Sequence, residues 1–146
     1  MSKIARVLFT DIGVVKTVHE EVEPLALAED EVRITPAYFG ICGSDLHVLA
    51  GGHPFAKPPV TPGHEISAVV SEIGKNVKGI TVGDHVTVDP IMACMQCRAC
   101  KSGHFNLCEP PMVAGFRAPG FARSSHVVPA RNIHIAPKSI PMDVLA

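Results

Sequence analysis

Seven short runs rich in β-branched and aliphatic residues recur along the chain, at 5–9, 14–22, 31–38, 64–73, 85–89, 122–128 and 133–135. Each is bounded by turn residues, and this spacing predicts an all-β domain. Thirteen prolines and twelve glycines punctuate the runs. Pro36 and Pro129 lie where a missing N–H limits a strand to an edge or ends it. The expected shape is an irregular, partly open barrel. One stretch, 44–49, predicts a short helix with Ser44 or Gly43 as its cap. The segment 91–112 breaks the pattern: it is dense in Cys, Pro and polar residues, lacks periodicity, and must be held by something other than a core. No internal repeat or low-complexity linker interrupts the chain.

Composition narrows this picture. A length of 146 residues fits one domain with its own core. With no Trp, one Tyr and six Phe, that core must rest on Val, Ile, Leu and Ala. A net charge of -1 and the absence of a basic cluster argue against nucleic acid as a partner. The N-terminal MSKIARVLF has charges among its apolar residues, and no run is long enough to span a bilayer. A soluble, cytoplasmic protein without a membrane partner is expected.

Five cysteines in such a chain point to metal before disulfides. Four of them, Cys94, Cys97, Cys100 and Cys108, follow C-x2-C-x2-C-x7-C. Short spacings let neighbouring thiolates reach one tetrahedral zinc ion. Gly103 sits where the chain must turn back before the fourth ligand. Two disulfides, four unrelated thiols, or a nucleic-acid-binding zinc ribbon are the alternatives, although only Arg98 and Lys101 supply charge nearby. Cys42 remains, in GICGSDLH, and Gly63-His64-Glu65 offers further donors. A catalytic zinc takes about three protein ligands and keeps one position open. Taken singly, a lone Cys is usually a small buried hydrophobe and a lone His a surface residue.

GICGSDLH, PGHE leading into an alternating strand that ends SEIGKNVKGITVGDHV, and the CxxCxxCxxGxxxxC lobe, in that order, resemble the zinc-containing medium-chain dehydrogenase/reductase family. This group includes alcohol, sorbitol and threonine dehydrogenases. The resemblance covers most of residues 32–135. It implies a GroES-like barrel over residues 1–146, with a metal lobe at about 91–112. It implies a catalytic zinc on Cys42 and His64 and a structural zinc on Cys94, Cys97, Cys100 and Cys108. Glu65 is then an alternate ligand or a carboxylate behind the ligands. Asp45 matches the residue that fixes the His64 tautomer. Ser44 and His47 match the family's proton relay; the plainer reading makes Ser44 a helix cap and His47 an exposed side chain. His19, His53, His85, His104, His126 and His134 fit no ligand pattern, and His85 replaces an Arg common in relatives, which suggests a hydrogen-bonding role.

The implied activity is NAD(P)-dependent oxidation of a small-molecule alcohol or polyol. The alternatives are a non-enzymatic zinc-binding β-barrel and, by fold analogy, a co-chaperonin. No GxGxxG follows any strand, so a dinucleotide-binding Rossmann fold is not expected in these residues. The family's third catalytic-zinc ligand lies downstream of residue 146. The chain by itself is therefore expected to fold, to carry its structural zinc, to hold the catalytic zinc weakly, and to show no NAD-linked turnover. Cys97→Ser is expected to lose zinc and fold, and Cys42→Ser to leave the fold intact. Gly43 hints at the sorbitol and threonine dehydrogenase branch; oligomeric state stays open.

Overall fold

The first two runs pair with each other. In the computed structural model, which describes residues 2–146, β1 (Ser2–Asp11) and β2 (Val14–Val22) form an antiparallel hairpin. The hairpin is tied to the rest through β1. Val7 N–H donates to Ala122 O at 2.8 Å, and Phe9 and Val60 exchange two backbone bonds at 2.9 and 3.0 Å.

The other strands build one antiparallel sheet. β3 (Glu31–Gly40), β4 (Glu65–Ile73), β5 (His85–Val88), β6 (His126–Pro129) and β7 (Ile133–Ala136) lie in the order β6-β3-β4-β5-β7. Successive side chains on a strand point to opposite faces, so the i, i+2 sets Val32/Ile34, Ile66/Ala68/Val70 and Val86/Val88 share one side. These residues, with Val128, Ala114 and Phe121, form the core. The two outer strands, β6 and β7, are consecutive in sequence and joined only by the 3₁₀ turn Ala130–Asn132. A link this short forces the sheet to curl until its edges approach. The fold is the expected mainly β, partly open barrel.

Two expectations change in detail. The run 122–128 forms a strand only at His126–Pro129. Before it, Ser124 Oγ accepts from Ala5 N–H at 3.1 Å, and Arg6 and Arg123 form an isolated bridge. A serine hydroxyl competing for a strand's donors interrupts a regular ladder. Pro36 lies inside β3, but pairing with β6 ends at Ile34 and the β4 register shifts between Pro36 and Tyr38. Locally, therefore, β3 is an edge, which is where a residue without N–H is tolerated.

Two histidines face the interior. His85 Nδ1 is buried without a hydrogen-bond partner, so the expected hydrogen-bonding role is not met at that nitrogen. His126 packs edge-on against Phe121 at 5.1 Å, and its Nδ1 is also buried and unpartnered. Burial, reinforced by the Arg123 charge, pushes its pKa down to about 4. Because the folded value lies below the unfolded one of about 6.5, the unfolded chain takes up the proton first as pH drops. Stability should be level above pH ~6.5 and fall between there and pH ~4. Urea titrations at pH 7 and pH 5 should show wild type losing about 2 kcal/mol more than His126→Phe over that interval.

Candidate metal centres

The cysteine lobe leaves the barrel after β5 and is fastened at its stem. Asn132 Nδ2 donates to Asp89 O and Ile91 O at 2.9 Å each, and Arg131 Nη2 donates to Ala93 O at 3.2 Å. Beyond this the lobe contains one turn of helix, α2 (Arg98–Lys101), and a 3₁₀ turn at Phe105–Leu107. Gly103 adopts φ +83°, as the expected reversal requires. The lobe's buried residues are only Ala93, Cys100 and Cys108, with Cys97 packed against them.

All four sulfurs converge. Their Sγ atoms lie within 4.8 Å of one another, and Cys94 and Cys100 are 3.9 Å apart. Ligands about 2.3 Å from a tetrahedral ion sit roughly 3.8 Å from each other. No sulfur pair is bonded, so the disulfide alternative is not realised. Backbone N–H groups point at the sulfurs: Gln96 and Cys97 donate to Cys94 Sγ at 3.4 and 3.3 Å, Cys94 to Cys108 Sγ at 3.3 Å, and Cys100 to Cys97 Sγ at 3.5 Å. The bond from Cys100 N–H draws the Cys97 thiol down to about 6, while burial pushes Cys100 up to about 12. Such a set cannot ionise side by side in a half-buried lobe without a cation among it. The donors fit a soft divalent metal.

A second set gathers where β3 ends and α1 (Gly43–Leu49) begins. The helix cap is Cys42, with φ −79° and ψ 154°, and not the expected Ser44 or Gly43. The reason is Asp45, whose Oδ2 accepts from Cys42 N–H at 3.0 Å, the reciprocal half of a capping box. Ser44 is thereby released from capping, and its Oγ lies 3.4 Å from His64 Nε2. Donor atoms of Cys42, His64 and Glu65 come within 4.8 Å of one another. Gly40 pairs with Glu65 across β3 and β4, and a Cβ there would stand 3.0 Å from Glu65 Oε2. Gly63 holds φ +96°, and a Cβ there would meet Ala122 N at 2.9 Å. Only glycine lets the chain deliver His64 at this point.

Asp45 links both ligand-bearing segments. It is 3% exposed, and its Oδ1 accepts from Gly63 N–H at 3.5 Å and faces His64 Nδ1 at 3.6 Å. Burial pushes its carboxyl up, but the facing His64 imidazole, 3.6 Å away and not hydrogen-bonded, and the bond from Cys42 N–H outweigh this and hold it below its ordinary value. Asp45 in turn raises His64 to about 9, and Ser44, with its hydroxyl and its N–H, lowers the Cys42 thiol. With Nδ1 turned to Asp45, His64 offers Nε2 as its donor, and ligation there must displace a proton. His47 is exposed on α1, three residues from Ser44, and no hydrogen bond joins the two.

Sequence reasoning missed the ring cluster beside this centre. Phe116 lies 4.9 Å from the His64 ring, and His53 stacks on Phe116 at 4.7 Å with 17° between planes. Neither residue carries a ligand spacing, and 63 positions separate them in sequence (116 − 53). No local signal marks the pair.

The profile of the alcohol dehydrogenase GroES-like domain matches residues 28–138. L-threonine 3-dehydrogenase of Caldanaerobacter subterraneus is 35% identical over 143 residues, covering 92% of this chain and 41% of that protein. Starvation-sensing protein RspB of Escherichia coli is 40% identical over 110 residues, covering 75% of this chain and 32% of that one. The crystal structure of galactitol-1-phosphate dehydrogenase from Escherichia coli aligns with TM-score 0.83 at 30% identity, over 95% of this chain and 40% of the other. The chain thus spans between 32% and 41% of the length of these proteins. Among the described residues no helix is long and apolar enough to cross a membrane.

Proposed function

This chain belongs to the alcohol dehydrogenase GroES-like domain family, and from that membership we propose that residues 1–146 form the metal-binding catalytic domain of an NAD(P)-dependent alcohol or polyol dehydrogenase. Cys94, Cys97, Cys100 and Cys108 hold a structural zinc, since a closed four-thiolate set leaves no position for substrate. Cys42, His64 and Glu65 hold a second zinc with room for an exchangeable ligand. That ion, when bound, supplies Lewis acidity toward a substrate oxygen.

The chain's own residues supply the rest. Asp45 faces Nδ1 of His64 at 3.6 Å, which would leave Nε2 as the nitrogen presented to a metal. Ser44 Oγ, beside His64 Nε2, is the first acceptor for the proton leaving the substrate hydroxyl. His47 is exposed on the same helix and is not hydrogen-bonded to Ser44. A bridging group such as the cofactor ribose would have to join them before His47 could pass that proton to solvent. A nicotinamide cofactor, when bound, would supply the hydride acceptor, so that the alcohol and NAD(P)+ would yield a carbonyl product, NAD(P)H and one proton. Glu65 is exposed, so its carboxylate would be free to exchange with water at a bound metal.

What supports this most is the approach of Cys42, His64 and Glu65 within 4.8 Å, with Asp45 behind the imidazole. A lobe stabilised for structure alone has no need of a second donor set of mixed type. Cobalt reconstitution tests the reading. The wild-type chain should take up two cobalt ions, and small alcohols should perturb the visible spectrum of one. Cys42→Ser should keep its circular dichroism, bind one cobalt ion and lose the alcohol response. A spectrum indifferent to alcohols, or to Cys42→Ser, would overturn the proposal.

A further inference from the structure

A row of rings leads away from His64. After Phe116 and His53, Phe55 meets His53 edge-on at 5.9 Å, and Arg117 Cζ lies 5.1 Å from the centre of the Phe55 ring. His53, Phe55, Pro111, Val113, Phe116 and Arg117 line a solvent-open hollow of about 210 Å³. Its walls are apolar apart from two heads, the His53 imidazole and the Arg117 guanidinium. No carboxylate lines it, and among the described residues Arg117 takes part in no ion pair. Its only described polar contact is its backbone N–H, donated to Val113 O at 3.1 Å.

Contact with Phe55 holds the guanidinium in place through its π face. Its N–H fork stays open, and a planar fork with two parallel donors matches a carboxylate or a phosphate. Arg117 and Phe55 are exposed, so such a pair would form at a solvent-open rim. A neutral polyol would leave those donors unused. The ring row keeps this cation apart from the metal centre, so a molecule bridging the two must be extended.

We propose that Arg117, mounted on the Phe55–His53–Phe116 row, receives the anionic end of the substrate whose hydroxyl is oxidised at Cys42, His64 and Glu65. The substrate class is then an extended hydroxy acid or polyol phosphate, in preference to a neutral polyol. The inference rests on the dehydrogenase reading above.

Three probes share one carbon skeleton and separate the possibilities: sorbitol, gluconate and sorbitol 6-phosphate. Titrated into the zinc-loaded chain and followed by NMR shifts, at least one anion should bind about threefold or more tighter than sorbitol, the size expected of an exposed charge pair. Whichever anion gains more identifies the carboxylate or the phosphate as the natural end group. Arg117→Gln should bring the ratio to near one while its circular dichroism stays that of wild type, and Arg117→Lys should restore part of the ratio. Equal binding of all three probes, or a preference that survives Arg117→Gln, overturns the inference. If sorbitol binding is still lost in Cys42→Ser, the dehydrogenase reading stands without it; no binding of any probe, or binding indifferent to Cys42→Ser, sinks both.

Discussion

Cys97→Ser is expected to empty the lobe of its zinc and melt residues 91–112. Ordering a segment costs about 1–2 kcal/mol per residue in backbone entropy alone. Three buried side chains, Ala93, Cys100 and Cys108, cannot offset that for the whole lobe. Zinc binding to model peptides is worth on the order of 10 kcal/mol, and here the metal must supply most of the balance. Cys97 is the informative position. Its thiol is drawn down to about 6, its sulfur accepts from Cys100 N–H, and it caps α2. Serine keeps a capping oxygen and removes the thiolate. Zinc content should fall by the structural equivalent, and amides of residues 91–112 should lose hydrogen-exchange protection. The barrel should survive, because its core cluster of Val32, Ile34, Ile66, Val70 and their neighbours contains no lobe cysteine. That separation narrows the wider loss of fold expected from sequence. A chelator should reproduce the pattern in the wild-type chain. Full protection of the lobe in zinc-free Cys97→Ser would show that something other than metal holds it.

The strands were legible because the core is built on period two: Val32/Ile34 flank Arg33 and Ile66/Ala68 flank Ser67, and a buried face leaves that mark whatever the topology. The sheet order was not legible. β6 joins β3 although about ninety residues intervene, and long-range pairing of that kind carries no local signature. The lobe could be read because a thiolate cage requires short spacings. The second centre could not be built from spacing, since nothing in residues 42–47 announces that residue 64 lies beside them; the family resemblance supplied that link. Even then the cap was misplaced, because Cys is a rare cap and the preference for Ser or Gly prevailed. What fixes Cys42 is its reciprocal partner, Asp45. The ring row escaped altogether, because aromatic contacts follow tertiary folding and not sequence period.

Asp45 is the residue on which the second centre turns, and its two obvious replacements should separate its roles. Asp45→Asn keeps an oxygen that can accept from Cys42 N–H and preserve the start of α1. It removes the charge facing His64 Nδ1. Fold and structural zinc should be retained, while metal affinity at Cys42, His64 and Glu65 falls about 10- to 100-fold, as expected when the group orienting an imidazole ligand is lost. Asp45→Ala removes the acceptor as well. Losing a helix-capping acceptor costs about 1 kcal/mol, and stranding Gly63 N–H in a buried site adds roughly 1–3 kcal/mol, so this variant should also unfold at lower urea concentration. The pH dependence has a definite sign. The Asp45 carboxyl sits below its ordinary range in the folded chain, so its contribution is present above the unfolded value of about 3.9 and is lost as pH falls through the folded one. The stability gap between wild type and Asp45→Asn should therefore close in strong acid and, because the same carboxylate raises His64 to about 9, also narrow as pH rises from about 6.5 towards 9. Competition titrations of the second metal site give the decisive reading. Affinity undiminished in Asp45→Asn would mean that the imidazole needs no carboxylate behind it, and the pairing at 3.6 Å would then serve α1 alone.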